Sequence, residues 1–318
     1  SEADTLAILS TLGFVPKKLE DGRYSVAVPS WRHDVDGPAD LVEDIARIAG
    51  FDRLPMDALP AMAATGPVST PAQNRVRIAR RTMASLGWNE AVTWSFAQRS
   101  VCELFGAGQG GGGLVLANPI ASDLDCMRPS ALIHLIAAAQ RNADRGFGTV
   151  SLFEAGPIYQ SDRPDGQQSV LAGVTRGATR HWAGEVKSTV DGVRDGLMQV
   201  LAALGLAPAS VQVVQGARDW WHPGRSGQIK MGPKVVLAEF GELHPRVLKA
   251  MNADGPLLGF ELFFDAIPQP KAKAGKNKGS LKASAQMPLT RDYAFLLAAS
   301  EPAGDLARGL RHVGGTTL

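Results

Sequence analysis

The sequence predicts an α+β protein built from more than one unit, and three observations carry that reading. Short strand-like runs at 24–28, 150–154, 170–174, 211–215, 227–230, 235–240 and 257–263 are interspersed with helical patterns at 4–12, 38–49, 71–86, 130–143, 188–204 and 244–251. These elements do not alternate as a regular βαβ repeat, which favours an antiparallel sheet flanked by helices over a parallel, doubly wound one. Between the first helices and the rest, residues 56–70 (MDALPAMAATGPVST) have no strong period and mark a linker, with a boundary near residue 65. A chain of 318 residues has room for two or three domains and a sizeable core.

The totals exclude several function classes. Lys+Arg 33 against Asp+Glu 31 is nearly balanced, so any nucleic-acid surface has to be local. The only cysteines, Cys102 and Cys126, show neither CxxC nor metal-ligand spacing, which implies reduced thiols and no zinc or disulfide framework. There is no signal peptide and no apolar run of about 18 residues, so a cytoplasmic location is expected and a membrane span is not.

In chain order, Leu6, Leu9 and Leu12 line one side of a helix that stops at Gly13, and Tyr24, Val26 and Val28 alternate as a strand. Because the chain starts inside a helix, upstream sequence is expected to be missing. The most informative stretch follows at 28–55, VPSWRHDVDGPADLVEDIARIAGFDRLP. Pro38 suits the first helical position and Gly50 the residue past the end, which brackets a helix at 38–49. On it Asp40, Glu43 and Asp44 stand at i, i+3 and i+4 on one face, with Leu41, Ile45 and Ile48 on an adjacent apolar stripe. Asp34 and Asp36 lie in the turn before it. Two readings of these acids stand open: a solvated face that complements the helix dipole, or a magnesium or calcium site, since hard ions take carboxylate oxygens and crowded like charges need neutralising. A helix-turn-helix reading would make this unit a DNA reader, but the third element carries acids where base and phosphate contacts need Arg, Lys, Asn or Gln.

Further on, Thr70 and Pro71 begin a helix with Val76, Ala79, Met83 and Leu86 as its stripe and Arg75, Arg77, Arg80 and Arg81 mostly elsewhere on its surface, read as a solvated face or subunit contact. AVTWSF at 91–96 reads as a strand. Asp191, Arg194 and Asp195 read as an exposed helix face. In WHPGRSG, His222 and Arg225 lack a nucleophile or acid at a fixed offset, so Pro223 and Gly224 read as a turn before strand 227–230, with Trp220 and Trp221 as core or interface anchors. Residues 268–282 carry five lysines and almost no apolar mass, a basic linker. A strand at 293–298 and a helix from about Ala303 follow.

The runs VPSWRHDV and DLVEDIARIAGFDRLP resemble the end of the B5 domain of the bacterial phenylalanyl-tRNA synthetase beta subunit. LGWNEAVTWSF, LANPIASDLDCMRPSALIHLIAAAQRNADRG, LFEAGPIYQ, WHPGRSGQI, GELHP and GFELFFDAIP are similar to successive blocks of that subunit's catalytic-like domain, and the chain's last stretch resembles the opening of its ferredoxin-like anticodon-binding domain. The resemblance implies a B5-type domain at 1–60, a class II synthetase fold at 66–268, a basic linker at 269–282 and the start of a ferredoxin-like domain, cut short, at 283–318. It implies magnesium on Asp34, Asp40, Glu43 and Asp44, with Asp44 standing where the family usually has the longer Glu. It implies an α2β2 assembly with an alpha subunit that holds ATP and phenylalanine, and tRNA as the other partner. A working class II domain holds the α-phosphate of ATP with an arginine after its F-x-x-E strand and a second near its end, because fixed guanidinium groups stabilise the charge that develops there. LFEAGPIYQ and LLGFELFFDAI carry neither, and Pro157 occupies a slot where the family often has a basic residue, so the domain is expected to keep the fold without the chemistry. The alternative is a stand-alone nucleic-acid or protein-binding module using the first domain.

Overall fold

The computed structural model describes residues 1–56, 66–181, 184–269, 287, 289–298 and 301–314, without the side chains at 109–110 and 179–181. The chain divides into two compact units, Ser1–Pro67 and Val68–Leu318. The basic linker expected at 269–282 lies outside the described residues beyond Gln269.

The first unit contains α1 (Glu2–Thr11), the antiparallel pair β1 (Val15–Lys18) and β2 (Tyr24–Ala27), and α2 (Pro38–Ala49). Its small core joins Leu9, Phe14 and Val35 to Leu12, Val26, Leu41 and Ile45. Leu41 and Ile45 therefore form the inner stripe of α2. Ile48, expected to extend that stripe, is 49% exposed, and Val42 is 63% exposed. Among the described residues of this unit three apolar side chains are buried, each worth about 1.5–3 kcal/mol, so its hydrophobic stabilisation is small.

The second unit is organised on a seven-stranded mixed sheet. Before the sheet proper come α3 (Pro71–Ser85), the two-residue β3 (Asn89–Glu90), β4 (Phe96–Ala97), α4 (Arg99–Leu104), β5 (Cys126–Met127) and α5 (Leu132–Asp144). The long strands β6 (Val150–Tyr159) and β7 (Gln167–Arg176) follow, then the hairpin β8 (Ala178–His181) and β9 (Gly184–Lys187), and α6 (Val190–Ala203). The series ends with β10 (Gln212–Gln215), β11 (Trp221–Met231), β12 (Val235–Leu243), α7 (Pro245–Ala250), β13 (Leu258–Phe263) and α8 (Ala303–Gly314). The sheet order is β10-β11-β12-β13-β7-β6-β3, antiparallel throughout except for the parallel edge pair β3–β6.

Strand alternation divides the apolar residues between two faces. One face packs Phe153, Leu171, Ile229, Phe240, Phe260 and Leu262 under Ala79 and Met83 of α3 and Val193, Leu197, Val200 and Leu201 of α6. The other packs Val150, Ile158, Val170 and Val174 against Leu132, Leu135, Ile136 and Ala139 of α5, with Trp220 and Trp221 buried in the same cluster. Cys102 and Cys126 are free, buried on this side, and burial pushes both thiols up, leaving them unreactive.

Three expectations change. Of the strand expected at 91–96 only Phe96, the start of β4, is in a strand; β3 ends before it, ladder pairing with β6 stopping at the Ala91 amide bond to Phe153, and Thr93 turns inward instead. WHPGRSG is the beginning of the long β11, which breaks register with β12 between Trp221 and Ser226, and is not a turn before a strand at 227. Residues 293–298 are described but form no strand.

Gly173 tests the packing. It lies opposite both Phe153 and Phe260, and a Cβ there would stand 2.5 Å from Phe260 Cε1 and 2.9 Å from Trp88 Cζ3, the two rings that meet edge to face with centroids 5.5 Å apart. Gly173→Ala is expected to destabilise the second unit by about 1–3 kcal/mol or more; unchanged thermal denaturation would contradict this packing.

Candidate functional site

In the first unit the acid-bearing turn and helix are held by arginine. The Arg32 amide bonds back to Pro29, and the side chain stacks over the Phe14 ring at 5.5 Å. Its guanidinium forks onto Asp34, Nε to Oδ1 at 2.9 Å and Nη2 to Oδ2 at 2.7 Å, while Nη1 reaches Asp44 Oδ2 at 2.7 Å. Arg47, one turn on, donates to Asp44 Oδ1 at 2.8 Å. Asp44 is 5% exposed, so both its oxygens are met where solvation is least available. Arg32 draws the Asp34 carboxyl down to about 2, and Arg47 and then Arg32 lower that of Asp44. Asp40 serves the backbone instead, its Oδ2 accepting from the amides of Asp36 at 2.9 Å and Gly37 at 2.8 Å, which satisfies orphan donors at the start of α2. Glu43 is exposed and makes no hydrogen bond or ion pair with the described residues.

The structure thus brings Asp34 and Asp44 together through a guanidinium, sets Asp40 on the helix start and leaves Glu43 outside. Among the described residues, no group of three or more His, Cys, Asp or Glu is placed to hold a metal ion. The donor chemistry suits a hard cation, but as placed the four carboxylates do not fit around one.

In the second unit the face covered by α5 carries a row of buried acids. Register places Glu239 opposite Glu261, Glu261 opposite Ala172, and Ala172 opposite Glu154, so three carboxylates run across β12, β13 and β6. They are 2%, 0% and 4% exposed, respectively. Such groups are tolerable only with partners. For Glu154 the partner is Arg128, itself fully buried: Nη2 donates to Oε1 at 2.8 Å, Nη1 to Thr93 Oγ1 at 2.8 Å and Nε to the Pro157 carbonyl at 3.0 Å, while Thr93 donates to Glu154 Oε2 at 2.5 Å. Gly156 gives the guanidinium its room, since a Cβ there would lie 2.8 Å from Arg128 Nη2. For Glu239 the partners are Arg218 Nε at 2.8 Å, Trp221 Nε1 at 3.1 Å and Gln228 Nε2 at 2.9 Å. Arg218 is also sandwiched between the Trp220 and Phe263 rings, at 4.7 and 5.0 Å.

Glu261 is the exception. Ser130 Oγ and the Ala131 amide both donate to its Oε1, at 2.8 and 3.2 Å, and its Oε2 has no hydrogen-bond partner among the described residues. Burial raises its carboxyl to about 7, against a lowering by Arg218 and with a further push from Glu239.

Sequence reasoning finds no arginine within the LFEAGPIYQ and LLGFELFFDAI stretches themselves. It misses that Arg128 and Arg218 arrive on this face from loops, reaching Glu154 and Glu239 across 26 and 21 positions, respectively. Arg128 is fully buried and bonded through Nε, Nη1 and Nη2, whereas Arg218, 36% exposed, is held to Glu239 through Nε. His222 accepts the Gly224 amide at 3.1 Å, and Arg225 forks onto Glu242 at 2.6 and 2.8 Å, so both serve the irregular start of β11. Arg194 pairs with Asp191 and Asp195 on the outside of α6.

The Glu261 environment has a pH consequence. With its folded value raised to about 7 from the ordinary 4.5, the folded chain holds a proton that the unfolded chain has lost between those limits. This group's contribution to stability is full at acid pH and falls as pH rises through the window, at up to about 1.4 kcal/mol per pH unit. The difference in stability between the wild type and Glu261→Gln, taken across pH 4.5–7, should follow that slope; a pH-independent difference would contradict it.

Comparison with known proteins gives this geometry a family. The model of the tRNA synthetase B5 domain matches residues 1–51, and that of the phenylalanyl tRNA synthetase beta chain CLM domain matches residues 56–264. A phenylalanine–tRNA ligase beta subunit of Bradyrhizobium diazoefficiens is 48% identical over 91% of this chain and 36% of its own length, and one of Brucella suis is 47% identical over 98% and 39%. The chain spans less than two fifths of the length of these relatives. A pyrrolysyl-tRNA synthetase structure from Desulfitobacterium hafniense covers 61% of this chain and 67% of its own, with 13% identity and a TM-score of 0.48. With the larger family model matching well over half of its residues, the chain belongs to the family of phenylalanyl tRNA synthetase beta chain CLM domains.

Proposed function

We propose that this chain is a stretch of the beta subunit of phenylalanine–tRNA ligase, the enzyme that joins phenylalanine to its tRNA at the expense of ATP, and that within it the chain is a non-catalytic scaffold. The alpha subunit is its partner in an α2β2 assembly in the cytoplasm, with ATP and phenylalanine on alpha and tRNA bound by the whole. The division that goes with this reading is a B5-type domain at 1–60, a catalytic-like domain at 66–268, a basic linker at 269–282 and the start of a ferredoxin-like domain at 283–318.

The observation that carries the reading is the closure of the arginines on the acid row. A site for activating an amino acid with ATP needs preset cations facing the phosphates. Here Arg128 is bonded to Glu154, Thr93 and Pro157, and Arg218 to Glu239 between two aromatic rings. Redirecting Arg128 onto a phosphate would leave the buried Glu154 without its counter-charge, a loss of about 3–5 kcal/mol for a buried pair. A scaffold role also accounts for the apolar side chains left at the surface. Val92 and Trp94, either side of the inward-turned Thr93, are 90% and 61% exposed, and in the first unit Trp31, Val42, Ile48 and Phe51 are 49–68% exposed. Such side chains suit the centre of a protein interface.

The magnesium suggested by the sequence has no place among the four acids as they stand, and the scaffold reading does not depend on it. The test pairs two readouts on the purified chain. Freed of alpha subunit, it should show only background pyrophosphate exchange with phenylalanine and ATP, and on gel filtration it should co-elute with added alpha subunit. Exchange above background would overturn the non-catalytic reading, and failure to co-elute would overturn the scaffold.

A further inference from the structure

The second unit holds a cavity whose cations, unlike Arg128, are not committed to carboxylates. We propose that it binds an organic phosphate monoester with an apolar body, the phosphate meeting Arg176 and Lys187 and the body lying against Val190, Pro256 and Leu258.

The cavity, about 570 Å³, opens where the end of β7, the base of the β8–β9 hairpin and the start of α6 meet the loop before β13. That volume lies within the range of small-molecule sites, and its mainly apolar lining with a few polar groups is their usual composition. Room inside is kept by glycine: Gly148, Gly177 and Gly255 all line it, and a Cβ on Gly148 would meet nothing within 4 Å.

The charge of the cavity decides what it suits. Arg176 makes only long contacts, Nη1 to Gln140 Oε1 at 3.4 Å and to the Asp254 carbonyl at 3.5 Å, which leaves Nε and Nη2 without a hydrogen-bond partner among the described residues. Lys187 is exposed, and among the described residues it pairs with no acid. Glu242 is the one acid among the described residues that line the cavity, and Arg225 already forks onto it at 2.6 and 2.8 Å. Two uncompensated cations therefore face one space. A phosphate monoester brings about −1.5 to −2 charges near neutral pH and three acceptor oxygens, which matches an arginine fork and a lysine point charge together; a carboxylate brings half that charge. Thr189 adds a donor, since its Oγ1 accepts the Gly192 amide at 3.0 Å and keeps its own hydrogen. The helix end itself supplies little, because Asp191 sets a carboxylate in the first turn of α6. Side chains, and not the helix dipole, make this site. The proposal rests on the second unit alone and is independent of the synthetase reading.

The experiment titrates phenyl phosphate into the full chain and follows the amide signals of Gly148, Gly177 and Gly255 by NMR. All three should shift saturably in the wild type. Inorganic phosphate, which lacks the body, and benzyl alcohol, which lacks the charge, should bind at least tenfold more weakly, and benzoate should fall between them and phenyl phosphate. Arg176→Gln combined with Lys187→Gln should weaken phenyl phosphate at least tenfold. Lys187→Glu, a single change on an exposed strand, should do the same in a chain whose thermal melting is unaltered, so the test survives if the double variant fails to fold. The proposal is overturned if the three glycines show no saturable shift, if inorganic phosphate or benzoate binds as tightly as phenyl phosphate, or if Lys187→Glu binds it undiminished.

Discussion

A carboxylate withdrawn from water has to be met by a fixed positive charge or hold on to its proton, and both units of this chain are arranged around that requirement. In the first, Arg32 and Arg47 close on Asp34 and Asp44. In the second, Arg128 closes on Glu154 and Arg218 on Glu239, and Glu261, left without a cation of its own, is the acid whose proton is held to about 7. The sheet can carry three acids on a buried face only because loops outside it deliver arginines to that face.

This arrangement links packing to function. Buried ion pairs contribute little net stability compared with apolar residues of the same volume, yet breaking one is costly. A chain that commits its arginines in this way gains a defined geometry and gives up the ability to offer those charges to a ligand. Gly156 and Gly173 show how local that commitment is. The first leaves space for the Arg128 guanidinium, and the second lets Phe260 and Trp88 meet across the opposite face.

Much of the fold is legible in the sequence because it is written in periodicity. The helix at 38–49 is marked at both ends by Pro38 and Gly50, and its inner residues Leu41 and Ile45 follow from spacing alone. Long strands are readable as centres and not as ends: 170–174 becomes Gln167–Arg176 because pairing with neighbours on both sides carries a strand past its apolar middle. The strand expected at 91–96 fails for the opposite reason, since alternation in Val92, Thr93 and Trp94 is satisfied by one inward hydroxyl with no second strand to pair. For the candidate site, spacing places Asp40, Glu43 and Asp44 on α2 but is silent on what each of them meets there. Arg32 stands two residues before Asp34 in the same motif, a visible cation among acids; what sequence does not supply is the turn that aims it at Asp44, twelve residues on. Arg128 and Arg218 are still less visible, because they reach their carboxylates across 26 and 21 positions.

The central claim is that the arginines at these acids are bound within the chain and unavailable to anything else. Arginine side-chain NMR addresses it directly, through the Nε–H resonances of Arg32, Arg128 and Arg218 assigned by substitution. The account predicts three slowly exchanging signals, shifted from the averaged position of free guanidinium groups and unmoved by saturating ATP. Rapidly exchanging signals at the averaged position, or a shift of Arg128 or Arg218 on adding ATP, would contradict it.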